Sequence, residues 1–299
     1  MLFSPFEPDR IEAHRRRFRA IPVRTLLPNL ITLLALCAGL TAIRLASEQR
    51  FEWALYAIVF AALLDGMDGR LARMLKGTSR FGAELDSLAD FVNFGVAPAL
   101  ILYQWGLNEF KSVGWIAALV FALCAALRLA RFNVLAEDPN RPAWAANFFV
   151  GIPAPAGAIT VLLPLYLELL FPHLPHYVLV MPLAFVYTLF IAFLMISRLP
   201  VFSGKRVGKR VPPEMVLPVF GAVVVFFALL ISYPWEVLTI GTLAYLACLP
   251  LGLMSYREQE RKAAAAVAAS NTMPEGESAP ALAPSVPASD GPERPARLN

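Results

Sequence analysis

The sequence predicts an all-α fold, a polytopic membrane helical bundle of about eight transmembrane helices, and three observations carry that expectation. Of its 299 residues, 58% are hydrophobic and only 16% charged, and the mean hydropathy is +0.60. A soluble chain carries roughly 25% charged residues to cover its surface, so the surplus of apolar side chains points to lipid as the solvent. Apolar runs of about 20 residues, the length a helix needs to cross the hydrocarbon layer, recur along most of the chain. Lys and Arg gather in alternate connections between those runs.

Taken in order, the runs place spans at 27–46, 51–72, 83–105, 113–136, 152–171, 177–197, 214–233 and 235–255. Pro164, Pro182 and Pro218 fall inside them, which membrane helices tolerate. Trp105, Trp115, Trp235, Tyr177 and Tyr233 fall near span ends, where amphipathic rings prefer the interface. His14, His173 and His176 lie at or beyond the same boundaries.

The basic connections contain Arg73, Lys76 and Arg80, then Arg141, then Arg198, Lys205, Arg206, Lys209 and Arg210. These share a side with Arg15, Arg16, Arg17, Arg19 and Arg24 at one end and Arg257, Arg261 and Lys262 at the other. Lys111 is the exception on the opposite side. The positive-inside rule puts the basic side in the cytoplasm, so a multi-pass protein of the cell (inner) membrane with both termini cytoplasmic is expected, and an even span count fits. The net charge of +4 then reads as attraction to the anionic leaflet, and no nucleic-acid partner is expected. Three regions follow: a basic cytoplasmic segment at 1–25, a transmembrane domain at 26–257 and a tail at 258–299. The tail turns to Ala, Pro, Ser and Glu, cannot bury enough apolar surface to offset its ordering entropy, and is expected to be disordered. Cys37, Cys124 and Cys248 are isolated within apolar runs, without metal spacing.

Four aspartates stand at or inside expected spans, Asp65 and Asp68 in the second and Asp86 and Asp90 in the third. An ionised carboxylate in a membrane is costly and by default marks a functional site. The alternative is a cytoplasmic loop between two shorter helices. Spacings of three and four put each pair on one helix face, and consecutive helices run antiparallel, so the pairs can face each other. Four converging carboxylates need cations to stay ionised, and all-oxygen ligation suits Mg²⁺, Mn²⁺ or Ca²⁺ rather than zinc. Gly66, Gly69 and Gly82 weaken a helix relative to Ala. They either admit a bulky ligand or serve ordinary close helix packing. Arg73, eight residues past Asp65, can meet a phosphate or act as a positive-inside anchor.

Together these residues read D-G-M-D-G-R-L-A-R, eight residues, Gly82, three residues, Asp86, three residues, Asp90. The pattern resembles throughout the signature of the CDP-alcohol phosphatidyltransferase family, D-x2-D-G-x2-A-R-x8-G-x3-D-x3-D. The resemblance implies a donor with a CMP leaving group, two metal ions (Mg²⁺ or Mn²⁺) held chiefly by Asp65, Asp68 and Asp86, and Asp90 as general base with a share in metal binding. It implies that Gly69, Ala72, Arg73 and Gly82 line the CDP pocket; Gly66 and Asn29 are further candidates there. The segments PNLIT (28–32), DSLADFVNFGVAPA (86–99), ALRLARFNV (126–134), FVGIPAPAG (149–157) and MISRLPVFSGK (195–205) resemble the phosphatidylserine synthase branch of that family. Within them, Asn93 stands where Ser is more usual. This narrower resemblance implies CDP-diacylglycerol and L-serine as substrates, phosphatidylserine and CMP as products, membrane lipids as surroundings and a homodimer.

An amino-acid acceptor needs a group for its carboxylate. Arg128, Arg131 and Arg198 are candidates because guanidinium grips carboxylate bidentately, with lipid-phosphate anchoring as the alternative for each. Asn133 is a further polar candidate for serine or phosphate. The same donor chemistry with glycerol 3-phosphate, inositol or choline remains open at this stage. A cation transporter would account for the aspartates but not for Arg73 or the glycine spacing.

Overall fold

The fold, from a computed structural model, is described for residues 23–75, 77, 79–137, 148–173, 180–197, 199–202 and 213–271. It is a helical membrane bundle with one short two-stranded ladder. The chain divides into two units, Met1–Met254 and Ser255–Asn299. The first holds α1 (Val23–Ser47), α2 (Phe51–Met74), α3 (Arg80–Phe91), α4 (Ala97–Trp105), α5 (Lys111–Glu137), α6 (Ala154–Val161), α7 (Leu163–Leu170), α8 (Met181–Ile196) and α9 (Pro213–Ser232). α10 (Pro234–Asn271) begins in it and supplies the described part of the second.

These helices reproduce the eight expected segments. Among the described residues, five stretches are long and apolar enough to cross a membrane: Leu26–Ser47, Arg80–Trp105, Leu107–Leu135, Glu214–Ser232 and Pro234–Gly252. Ala154–Leu170 and Met181–Ile196 are shorter apolar helices. α2 is long enough but carries Glu52, Asp65, Asp68, Arg70 and Arg73, so charge and not length sets it apart.

Local sequence explains the breaks. Pro98 has no N–H to donate to the carbonyl four residues back, and its ring crowds that carbonyl. The chain widens into a π turn at Val92–Val96, where the Ala97 N–H bonds to the Val92 carbonyl, and α4 continues beyond it. Pro164 similarly divides the fifth segment into α6 and α7 at Leu162. Pro182 sits in the first turn of α8, so that helix begins at Met181, four residues after the expected span start.

Helix contacts in lipid depend on close van der Waals approach rather than on expelling water. Accordingly Ala35, Ala42 and Ala46 of α1 are buried, as are Ala54 and Ala61 of α2. Leu30, Leu33 and Leu34 of α1 and Phe190 and Phe193 of α8 are exposed, as lipid-facing side chains should be. The tightest approach is at Gly114 of α5, where a Cβ would lie 1.7 Å from the Leu107 carbonyl oxygen.

Within this all-α bundle the described residues also form one short ladder. β1 (Phe148–Val150) pairs antiparallel with β2 (Pro200–Phe202), and the Gly151 N–H donates to the Leu199 carbonyl at 2.8 Å. Gly151 has φ +77° and lies against the Met195 and Ser197 carbonyls. Two distant segments singled out in the sequence, 149–157 and 195–205, are thus joined by main-chain hydrogen bonds. Each strand is three residues long and too short to show a period-two pattern.

α10 is the longest helix among the described residues. It runs to Asn271, into the 258–299 region expected to be disordered. The run EQERKAAAAVAAS at 258–270 is built almost wholly from strong helix formers, so local propensity extends the helix. Residues 1–22 and 272–299 lie outside the described residues.

Candidate active site

α1, α2 and α3 supply the site. Ser79 caps α3, its hydroxyl accepting from the Gly82 N–H at 3.0 Å. A cap of this kind contributes about 1 kcal/mol and fixes where α3 begins, hence the placement of Asp86 and Asp90.

Asp65, Asp68 and Asp86 converge: each offers a carboxylate oxygen, and these atoms lie within 4.8 Å of one another. Asp68 is 3% exposed and accepts a 2.6 Å hydrogen bond from Thr32 of α1. Oxygens bound to one Mg²⁺ are at most about 4.2 Å apart, and on Ca²⁺ about 5 Å. Three oxygens at this spacing therefore fit a hard divalent cation with little rearrangement. Asp90 stands outside this triad, with its carboxylate within hydrogen-bonding reach of Asp65. Ionised carboxylates that close call for a cation or a proton between them. The four aspartates expected to act together thus divide into a triad and a neighbour.

Beside the triad opens a cavity of about 290 Å³. Asp68, Asp86, Gly69, Ala72, Arg73, Gly82 and Asn29 line it, together with Pro28, Thr32, Gly77, Ser79 and Ala83. Five of the six residues expected to bind CDP are therefore in one wall. Gly66 is not among them; it is exposed, and a Cβ there would meet nothing within 4 Å. Gly82 has a steric reason to be glycine, since its Cβ would sit 2.7 Å from the Asn29 Oδ1 and 3.1 Å from the Ser79 hydroxyl.

The two arginines of α5 differ. Arg131 donates to the Ile196 carbonyl at 2.7 Å, tying α5 to the end of α8. Arg128 is 6% exposed, lies over the Phe132 ring at 5.4 Å and interacts electrostatically with Asp90. Its Nε has no hydrogen-bond partner among the described residues. Asn133 donates to the Ser87 hydroxyl at 3.0 Å, beside Asp86. Arg198 lies outside the described residues. Asn93, in the π turn, is fully buried with both amide atoms unpartnered among the described residues, and it packs against Gly39 of α1.

Sequence reasoning did not identify Thr32, Ser79 or Gly77 as site residues. Thr32 lies within the PNLIT segment noted above, which was the available signal. Ser79 and Gly77 follow only from the turn that brings α3 back against α1.

A carboxylate triad that could hold a metal ion thus sits within a helical membrane bundle, beside a glycine-walled cavity with Arg73 at its rim. Models of two related families match the chain: CDP-alcohol phosphatidyltransferase over residues 25–193 and CDP-alcohol phosphatidyltransferase 2 over residues 214–250. The chain belongs to the CDP-alcohol phosphatidyltransferase family. It is 41% identical over 232 residues to the CDP-diacylglycerol–serine O-phosphatidyltransferase of Mycobacterium tuberculosis (strain CDC 1551 / Oshkosh), covering 78% of this chain and 79% of that relative. The Helicobacter pylori (strain ATCC 700392 / 26695) protein of the same name is 35% identical over 223 residues, 74% of this chain and 88% of the relative. That of Methanocaldococcus jannaschii is 44% identical over 130 residues, 43% and 55% of the two chains.

Proposed function

We propose that this protein transfers the phosphatidyl group of CDP-diacylglycerol to the hydroxyl of L-serine, giving phosphatidylserine and CMP. The observation that carries the chemistry is the Asp65–Asp68–Asp86 triad opening onto the cavity walled by Gly69, Ala72, Arg73 and Gly82. The choice of acceptor is supported by relatives that bear the serine transferase name at 35–41% identity.

Asp65, Asp68 and Asp86 are the residues to hold two divalent cations, Mg²⁺ or Mn²⁺, with Asp90 at the edge of the set. Cations bound there neutralise the pyrophosphate and stabilise charge on the departing CMP. The Gly69 and Gly82 backbones let the diphosphate approach closely, and Arg73 reaches it from the exposed rim. The serine oxygen attacks the lipid-side phosphorus, that P–O bond forms, and the bond to CMP breaks. Asp90 accepts the hydroxyl proton; its buried Oδ1 has no hydrogen-bond partner among the described residues. Arg128 grips the serine carboxylate. Catalysis of this kind is mainly positioning plus fixed electrostatics.

The basic connections support an orientation with both termini and the site opening on the cytoplasmic side of the inner membrane. The family resemblance supports a homodimer. A CMP-release assay on the purified protein, with CDP-diacylglycerol and a panel of alcohols, tests the reaction. Release with L-serine is expected. Release with glycerol 3-phosphate or inositol and none with L-serine would overturn the acceptor while leaving the donor chemistry standing.

A further inference from the structure

Beyond the aspartates, the bundle buries several more polar side-chain atoms without a hydrogen-bond partner among the described residues, and two of them lie on different helices and belong together. One is the Arg128 Nε and the other the Tyr245 hydroxyl of α10. The two side chains interact electrostatically, and Arg128 likewise interacts with Asp90. Arg128 nevertheless makes no ion pair with Asp90 among the described residues, and the Asp90 Oδ1 is unpartnered too. Two opposite charges that could close on each other thus stay unpaired among the described residues.

Helix geometry independently places Tyr245 at the depth of the aspartates. Tyr56 of α2 and Trp235 of α10 pack with ring centroids 5.1 Å apart, each near the start of its helix. Trp235 also stacks on Tyr166 at 6.4 Å, which fixes that end of α10 against α7. As the second and eighth segments of an alternating bundle, α2 and α10 cross in the same direction. Asp65 is nine residues beyond Tyr56 and Tyr245 ten beyond Trp235, which is about 13.5 Å and about 15 Å of rise. The phenol therefore reaches the level of Asp65 and Asp90.

Arg128 Nε–H and Tyr245 O–H are both donors. A buried donor without an acceptor is costly; the phenol can donate or accept whereas a guanidinium N–H only donates, so an anion set between them would satisfy both. The donor's diphosphate is already provided for in the cavity beside the triad, which neither residue lines. The remaining anion of the proposed reaction is the carboxylate of the amino-acid acceptor, whose hydroxyl must lie at Asp90.

We propose that Tyr245 completes, with Arg128, the subsite for the acceptor carboxylate, its phenol O–H donating to one carboxylate oxygen while Arg128 takes the other. This rests on the serine-transfer reading. It makes the last transmembrane helix a specificity element for acceptors that carry a carboxylate.

The test uses full-length protein purified in detergent and CMP release from CDP-diacylglycerol with Mg²⁺. Tyr245→Phe removes only the hydroxyl, and Tyr245→Met fills similar space without a donor. Each is expected to raise the KM for L-serine about tenfold, the effect of losing one hydrogen bond to a charged group. The KM for CDP-diacylglycerol and kcat should stay within about twofold. The preference for L-serine over L-serine methyl ester should fall by a similar factor of about ten, which a merely structural role would not produce. An unchanged serine KM in both variants, or equal losses for serine and its ester, would overturn the proposal. If the unsubstituted protein shows no serine-dependent CMP release, the serine reading itself has failed, a result distinct from either variant outcome.

Discussion

Thr32 on α1 donates its hydroxyl to the Asp68 carboxylate on α2 at 2.6 Å, and both residues are buried. Thr32 also bonds back to the Pro28 carbonyl at 3.2 Å, so the contact links the first turns of α1 to the triad. A hydrogen bond of this kind orients a ligand oxygen, and removing such a partner typically costs 10–100-fold in metal affinity. Thr32→Val should therefore raise the Mg²⁺ concentration for half-maximal CMP release by about tenfold or more. Thr32→Ser, which keeps the hydroxyl, should stay near the unsubstituted value. Equal half-saturation in Val and Ser variants would show that Thr32 does not act on the triad.

Metal removal gives the broader test of the same triad. Three carboxylate oxygens within 4.8 Å, with Asp90 against Asp65, repel unless cations intervene. EDTA should abolish turnover, and Mg²⁺ or Mn²⁺ should restore it. Asp65→Asn, Asp68→Asn and Asp86→Asn should each lose most activity. Substantial turnover in a metal-free preparation would refute the cation site.

Two glycines separate ligand space from folding space. A Cβ at Gly82 would press on the Asn29 side chain at 2.7 Å, whereas one at Gly114 would strike the Leu107 carbonyl oxygen at 1.7 Å. A side-chain amide can swing away, but a backbone carbonyl inside packed helices cannot. Gly82→Ala should thus weaken CDP-diacylglycerol affinity with the melting temperature little changed. Gly114→Ala should destabilise the fold by about 1–3 kcal/mol, as overpacking does, read as a lower melting temperature. Gly66→Ala meets nothing within 4 Å and should leave the cavity intact. Normal donor KM in Gly82→Ala would contradict the cavity assignment.

The parts legible in the sequence were those written in composition or fixed spacing. Eight apolar segments are countable because each must span a layer of set thickness, and the aspartates stand out because carboxylates are costly there. Features set by long-range contact were not legible. Thr32 meets Asp68 across 36 positions, and β1 pairs with a strand some fifty residues later. Tyr245 sits in an apolar run where an aromatic residue is unremarkable, and only the packing of Trp235 on Tyr56, which sets the depth of α10 against α2, gives its hydroxyl a meaning. The π turn could have been anticipated from Pro98, whereas the extension of α10 to Asn271 follows propensity that the apolar pattern obscured.

Arg128 and Arg131 were equivalent in the sequence, and their surroundings now separate them. Arg131 is engaged with the Ile196 carbonyl at 2.7 Å, where it joins α5 to the segment leading into β2. Arg128 is buried, lies over Phe132 at 5.4 Å, keeps an unpartnered Nε and interacts electrostatically with Asp90. Truncating the residue that grips the acceptor removes a charge-assisted contact of roughly 1.5–3 kcal/mol. Arg128→Ala should therefore raise the serine KM about ten- to hundredfold, with donor KM much less affected. Arg131→Ala leaves a carbonyl short of a donor at a helix end. Its expected signature is a lower melting temperature with the two KM values changed little. Arg128→Lys should recover only part of the affinity, because an ammonium cannot present two parallel donors. A serine KM that rises in Arg131→Ala and not in Arg128→Ala would reverse the assignment and move the acceptor toward α8.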